Sequence, residues 1–265
     1  VGVRRLIKAH GLVPDTSLGQ HFLVDENYVD VAIREAEVSS DDVVLEVGPG
    51  VGVLTVALSR VARHVHAIEI DRRLEPVLLD ALGSDAEKVD IRYVDAMKAD
   101  LESLVPAPTK FVANLPYSIA TPIVVESTWR LPKVERWSVM TQREVADRWA
   151  AEPGSRLYGA PTVLLRLACE LTHRRVVGPE AFSPRPRVDS SLVSFRRTAP
   201  GADSRTRALV RAAFGTRRKT TANALSGAGY DKDAVEEVLF GIGCAPGIRP
   251  EQISPTQFAE LAEAL

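Results

Sequence analysis

Short runs of branched apolar residues, each closed by a glycine or a polar residue, recur along the first two thirds of the 265-residue chain. Val43–Val47 is β-branched, ends in glycines and predicts a buried parallel strand. Val65–Ile70, Asp90–Val94, Lys110–Ala113 and Trp137–Thr141 predict further strands, and Leu171–Val177 and Leu192–Arg197 two final ones. Helical spacing between them predicts helices over Glu26–Ala36, Leu54–Arg60, Leu74–Leu82, Glu144–Ala150 and Pro161–Glu170. Alternating strands and helices indicate an α/β fold, a parallel, doubly wound sheet with crossover helices on both faces. Ligands of such sheets bind at the carboxyl ends of the strands. After Thr198-Ala199-Pro200-Gly201 the strand signal vanishes, and 203–215, 219–226, 231–240 and 255–264 read as short helices. The expected domains are 1–198, a sheet domain opened by a basic arm through residue 22, and 199–265, a small helical domain.

Composition narrows the class. Hydrophobic residues make up 45% and charged residues 26%, as in a soluble globular chain. No run approaches the ~20 apolar residues of a membrane span and no secretory signal is present, so a cytoplasmic location without membrane contact is expected. Cys169 and Cys244 stand far apart without metal-ligand neighbours and read as reduced thiols, and no metal site is expected. Self-association has no signature, so a monomer is expected.

The net charge of -2 hides an asymmetry. Residues 1–130 hold 13 Lys and Arg against 20 Asp and Glu; residues 131–265 hold 20 against 15. Within 174–219 alone there are 12 basic residues against three acids, a local charge of +9. A run of that density suits a polyanion, since phosphate neutralisation drives nucleic-acid affinity.

The chemistry gathers at the strand ends. Gly48-Pro49-Gly50-Val51-Gly52 connects the first strand to its helix, where glycine lets the backbone turn tightly and approach a ligand. A dinucleotide fingerprint would place glycine at position 53, which is valine. The loop instead suits the amino-acid end of S-adenosylmethionine, which carries no pyrophosphate. Glu69 ends the second strand, where a carboxylate can accept hydrogen bonds from both ribose hydroxyls; Asp71 is near enough to substitute. Asp95 ends the third, placed to bind an adenine amine while Ala96 or Met97 covers the ring. Asn114-Leu115-Pro116-Tyr117 follows the fourth. The Asn114 side-chain oxygen and the Pro116 or Leu115 carbonyl can accept the two hydrogens of an exocyclic amine. That favours a pyramidal nitrogen with its lone pair aimed at a methyl donor, by preorganisation and orientation. Tyr117 would stack on a base drawn from its stack.

Together these segments resemble the small-subunit ribosomal RNA adenine dimethyltransferases, the kasugamycin-sensitivity family. The resemblance is carried by Gly19–Leu23, Glu46–Gly52, Ala67–Asp71, Asp95–Met97, Asn114–Tyr117, Phe182–Ser190 and Phe214–Thr220. It implies a Rossmann-like class I methyltransferase sheet that uses S-adenosylmethionine. It also implies dimethylation of two adjacent adenines in the 3′-terminal hairpin loop of 16S rRNA within a partly assembled small subunit, four methyl groups in all. His21 and Leu23 fall where the family's amino-terminal motif closes over the cofactor, and Gly48, Gly50, Glu69, Asp95 and Ala96 on its cofactor positions. Asn114, Pro116 and Tyr117 fall on the acceptor site, and Phe182 on a second aromatic that sandwiches the base at the mouth of the site. Arg185, Arg187, Arg217, Arg218 and Lys219 are expected to grip RNA phosphates. The family commonly has asparagine where this chain has His21.

Other readings fit less well. A resistance methyltransferase of large-subunit rRNA usually carries Asn-Ile-Pro-Phe at the acceptor motif. A non-catalytic assembly factor would have no need of Glu69, Asp95, Asn114 and Tyr117. A DNA adenine methyltransferase needs a recognition region for duplex DNA, and a nicotinamide oxidoreductase a hydride relay; neither is evident.

Overall fold

The computed structural model describes residues 3–216 and 218–265. Helix α1 (Val3–Ala9) precedes a two-residue strand β1 (Phe22–Leu23) and α2 (Glu26–Glu35), which Asp25 caps by accepting the Asn27 N–H. Two strand–helix steps follow, β2 (Val43–Val47) with α3 (Val53–Val61) and β3 (His64–Glu69) with α4 (Glu75–Leu82), and then β4 (Val89–Tyr93). Next come β5 (Lys110–Asn114), α5 (Ala120–Arg130), β6 (Arg136–Gln142), α6 (Arg143–Trp149) and α7 (Ala160–Ala168). Strands β7 (Cys169–Val177), β8 (Phe182–Ser183) and β9 (Ser190–Arg197) precede α8 (Ser204–Phe214), α9 (Thr221–Ser226), α10 (Lys232–Gly241) and α11 (Pro255–Ala264).

Seven strands form one sheet in the order β4-β3-β2-β5-β6-β9-β7. Strands β2 to β6 are parallel, in registers that include Val47 with Ile68 and Asn114 with Met140. Strand β9 lies antiparallel to β6, from Arg136 opposite Arg196 to Gln142 opposite Ser190, which corrects the expectation of a wholly parallel sheet. Side chains alternate with the same period in either direction, so the pattern of the sequence carries no sign of it. Strand β2 has β3 on one side and β5 on the other, so the chain reverses its direction of travel across the sheet there. This is the switch point at which such sheets bind ligands. A separate ribbon pairs β1 with β8, Phe22 opposite Ser183 and Leu23 opposite Phe182.

The sheet core is apolar. Val44, Leu58, Val65, Val112, Met140 and Leu192 are buried in one cluster with Leu23 and Phe182. Every residue of β2 is buried, Glu46 included. Helix α5 has no counterpart in the expected elements. Thr121, Ile123, Val124, Val125 and Thr128 favour strand and Pro122 opposes helix, but Pro122 sits in the first turn, where it is tolerated. Burial of Ile123 and Val124 then outweighs propensity.

The chain divides into two compact units, Val1–Ala146 with Leu171–Arg197, and Asp147–Glu170 with Thr198–Leu265. The expected boundary at 198/199 therefore gives way to a helical unit that also takes in 147–170. The cause is α7, which buries Val163, Leu164 and Leu165 and packs on α8 and α11. Within that unit the Tyr158 hydroxyl donates to the Ile253 carbonyl at 2.9 Å, and the Phe214 and Phe258 rings lie 5.7 Å apart. Its helices start where side chains can cap: Asp203 accepts from Thr206 N, Thr220 from Asn223 N, Asp231 from Ala234 N and Ser254 from Gln257 N. Among the described residues no helix is long and apolar enough to cross a membrane.

Candidate active site

The carboxyl ends of β2, β3, β4 and β5 carry the predicted residues, and the switch point brings two of the loops into contact. Gly48 holds φ at +77°, and a Cβ there would lie 3.0 Å from Pro116 Cδ and 3.6 Å from the Asn114 carbonyl oxygen. The glycine loop thus rests directly on the Asn-Leu-Pro-Tyr turn. Gly50, with φ +59°, has the Phe22 ring 2.9 Å from its missing Cβ. Neither position has room for a side chain.

Glu69 is buried and binds backbone. Its Oε1 accepts the N–H groups of Ile70 and Asp71, both at 2.8 Å, and its Oε2 that of Gly50 at 3.1 Å. It therefore fastens the loop after β2 to the end of β3. Burial raises its pKa against these three donors. A carboxylate offers about four acceptor positions. One remains open, and accepting two hydroxyls requires exchange of the longest bond, that to Gly50. Asp71 is not available as a substitute. Arg73 grips it through Nε and Nη2 at 2.8 and 2.7 Å, and Gln20 Nε2 donates to it at 2.7 Å. The Arg73 guanidinium holds the Asp71 carboxyl down at about 2. Gln20 also accepts the Asp15 N–H at 2.7 Å, so this cluster anchors the amino-terminal segment to the sheet. Asp95 keeps one oxygen on the Met97 N–H at 2.9 Å, while the other has Lys98 3.8 Å away. Ala96 is buried beside it.

Asn114 Nδ2 donates to the His21 carbonyl at 3.1 Å. One of the two amide hydrogens is thereby fixed on the amino-terminal segment, which orients the side chain. The Pro116 carbonyl accepts the Ile119 N–H at 3.2 Å, which leaves the Leu115 carbonyl as the freer backbone acceptor. Tyr117 is half-buried, and its hydroxyl shares a hydrogen bond of 2.9 Å with Ser190 Oγ; burial raises its pKa. The His21 ring lies nearly parallel to Tyr117, centroids 5.9 Å apart, with Nδ1 2.9 Å from the Pro184 carbonyl. Residue 21 reaches Asn114 through its backbone, which explains why histidine can stand where the family has asparagine. His21→Asn gives up the ring's bond to Pro184 and its contact with Tyr117 but keeps the backbone bond to Asn114, and is expected to lower cofactor affinity by about fivefold or less, one hydrogen bond being worth about 1 kcal/mol. Equilibrium binding checks this.

One expectation is corrected. Phe182 does not stand at the mouth of the site. Its ring is 1% exposed in the sheet core, because β8 pairs with β1 and sets it opposite Leu23. Leu23, opposite it in the ribbon, is buried as well. Arg185, Arg187, Arg218 and Lys219 are exposed, the first two in the sheet unit and the others in the turn between α8 and α9. Arg217 lies outside the described residues.

The residues fit S-adenosylmethionine. A cradle that any Cβ would fill, and a buried carboxylate oxygen without a hydrogen-bond partner at Glu46, suit a cationic ligand pressed against backbone. Glu46 was not among the expected site residues. Its signal was an acid inside an otherwise apolar, fully buried strand.

A sheet of this order, with a glycine loop and an Asn-Leu-Pro-Tyr turn in contact at its switch point and acids at two neighbouring strand ends, is that of a class I methyltransferase. Residues 14–264 match the ribosomal RNA adenine dimethylase family, and the chain belongs to it. It is 42% identical over 270 residues to ribosomal RNA small subunit methyltransferase A of Streptomyces griseus, covering 98% of this chain and 92% of that one. A dimethyladenosine transferase from Plasmodium falciparum has a similar structure, with TM-score 0.77 and 25% identity over 91% of this chain and 96% of that one. The 23S rRNA methyltransferase ErmE is also similar, with TM-score 0.68 and 28% identity over 92% and 99% of the two chains.

Proposed function

We propose that this protein dimethylates the exocyclic amines of two adjacent adenines in the 3′-terminal hairpin loop of 16S rRNA, acting as a monomer in the cytoplasm on a partly assembled small subunit. The observation that carries the reading is the contact of Gly48 with Pro116 and Asn114, which sets a methyl-donor loop against an amine-accepting turn. Family membership and the small-subunit name of the Streptomyces relative support the choice of RNA.

S-adenosylmethionine, when bound, supplies an electrophilic methyl on a sulfonium. Gly48 and Gly50 would let backbone approach its amino-acid end, Glu69 would hold the ribose hydroxyls, and Asp95, with Ala96 next to it, the adenine amine. The Asn114 side-chain oxygen and the Leu115 carbonyl accept the target amine's hydrogens, and Pro116 fixes the turn that aligns them. Such alignment needs no general base at the transfer step. Tyr117, held by Ser190, offers a ring to the flipped base.

The test of substrate is the initial rate of label transfer from S-adenosylmethionine to under-methylated small subunits and to large-subunit rRNA. Transfer to small subunits alone is expected; preference for large-subunit RNA selects the resistance branch instead. Replacing Arg185, Arg187, Arg218 and Lys219 with alanine together is expected to lower the slope of log affinity against log salt by roughly 3, at about 0.7–0.9 per lost phosphate contact. An unchanged slope removes these residues from the interface.

A further inference from the structure

Two rings face one another beside Asn114, and one loop holds them both. The Tyr117 hydroxyl lies 2.9 Å from Ser190 Oγ, and His21 Nδ1 lies 2.9 Å from the Pro184 carbonyl. A carbonyl can only accept, so Nδ1 carries a hydrogen and the imidazole cannot turn over without losing that bond. The His21 backbone is tied in as well, since its carbonyl accepts from Asn114 Nδ2 at 3.1 Å. His21 is therefore bracketed by Asn114 and Tyr117, the two side chains given to the target base. Its ring is tilted only 25° from that of Tyr117, with centroids 5.9 Å apart. Phe182 cannot supply such a ring, because it is packed in the core.

Resting on the reading that an adenine is the methyl acceptor, we propose that His21 is the second wall of the slot for the flipped base, which enters between its ring and that of Tyr117. Enzymes that draw a base from its stack hold it between aromatic or apolar side chains. A base between two rings needs them about 7 Å apart, twice the ~3.4 Å of one stacked layer. The two rings are short of that by about 1 Å, so the slot is narrowed in the free protein and parts to admit the base. The loop 184–190 is placed to couple this opening to RNA. It holds the His21 ring at one end and the Tyr117 hydroxyl at the other, and between them it carries Arg185 and Arg187, both exposed. A phosphate gripped by either arginine pulls on the segment from which both walls hang. Asparagine at position 21 has no ring to offer, so this wall is a property of chains with histidine there.

The test is kcat/KM for under-methylated small subunits at saturating S-adenosylmethionine, in the unmodified protein, His21→Asn and His21→Phe. Asparagine removes the ring and keeps a polar side chain; phenylalanine keeps the ring and removes Nδ1. His21→Asn is expected to lower kcat/KM by about tenfold, within the range of one lost base–aromatic stack, and His21→Phe to recover most of that loss. Calorimetric affinity for the cofactor should change by about fivefold or less in both variants, the scale of one hydrogen bond. Rescue by phenylalanine separates stacking from a merely structural role, which the Pro184 bond would carry and the larger ring would not restore. An unchanged kcat/KM in His21→Asn, or a His21→Phe as impaired as His21→Asn, overturns the stacking role. So does a defect confined to cofactor affinity that disappears at saturation. Absence of transfer to small subunits by the unmodified protein overturns the acceptor reading itself, and this inference with it.

Discussion

Asn114→Ala is expected to lower the rate of methyl transfer by about 10²–10³, the usual cost of removing one preorganised polar group that acts on the reacting centre. Cofactor affinity should fall much less, about fivefold, because the variant loses one hydrogen bond to the amino-terminal segment, worth about 1 kcal/mol. Single-turnover rates and equilibrium binding on the same preparation separate the two. A variant that binds cofactor poorly but transfers at the normal rate when saturated would move Asn114 out of the acceptor site and leave it as an anchor for residue 21.

Gly48→Ala is expected to weaken cofactor binding by more than about tenfold. Alanine at φ +77° costs about 1–2 kcal/mol of backbone strain. Its Cβ must also displace Pro116, which lies 3.0 Å away, and with it the turn that carries Asn114. Gly11→Ala supplies the control: φ is +58°, but nothing stands within 4 Å of the added carbon. Both variants should lose thermal stability from strain, by a few degrees. Only Gly48→Ala should lose cofactor affinity and transfer together, since only there does the new atom push on the site. Parallel losses in the two variants would mean that the contact between loop and turn has no functional weight.

Strands β2 to β6 were legible within a residue or two because each is a short run cut off by a glycine or a polar residue. Those breaks are the functional positions, so Gly48, Glu69, Asp95 and Asn114 were legible with them. What could not be read depends on partners distant in sequence. The pairing of β1 with β8 joins residues about 160 apart, and it alone determines that Phe182 is core rather than a ring at the mouth. The choice between Glu69 and Asp71 rested on Gln20 and Arg73, whose side chains meet Asp71 only in the folded chain. Helix α7 was predicted, but its membership of the helical unit depends on α8 and α11, which follow it by dozens of residues. Glu46 was visible as an acid in an apolar run, but its burial depends on the strands and helix that close over it.

The measurement that tests the central claim most directly follows isotopically labelled S-adenosylmethionine into under-methylated small subunits and locates the label by mass spectrometry of nuclease fragments. The account predicts dimethyladenosine at two adjacent positions near the 3′ end of 16S rRNA. Label at other positions, or none in the presence of bound RNA, would contradict it.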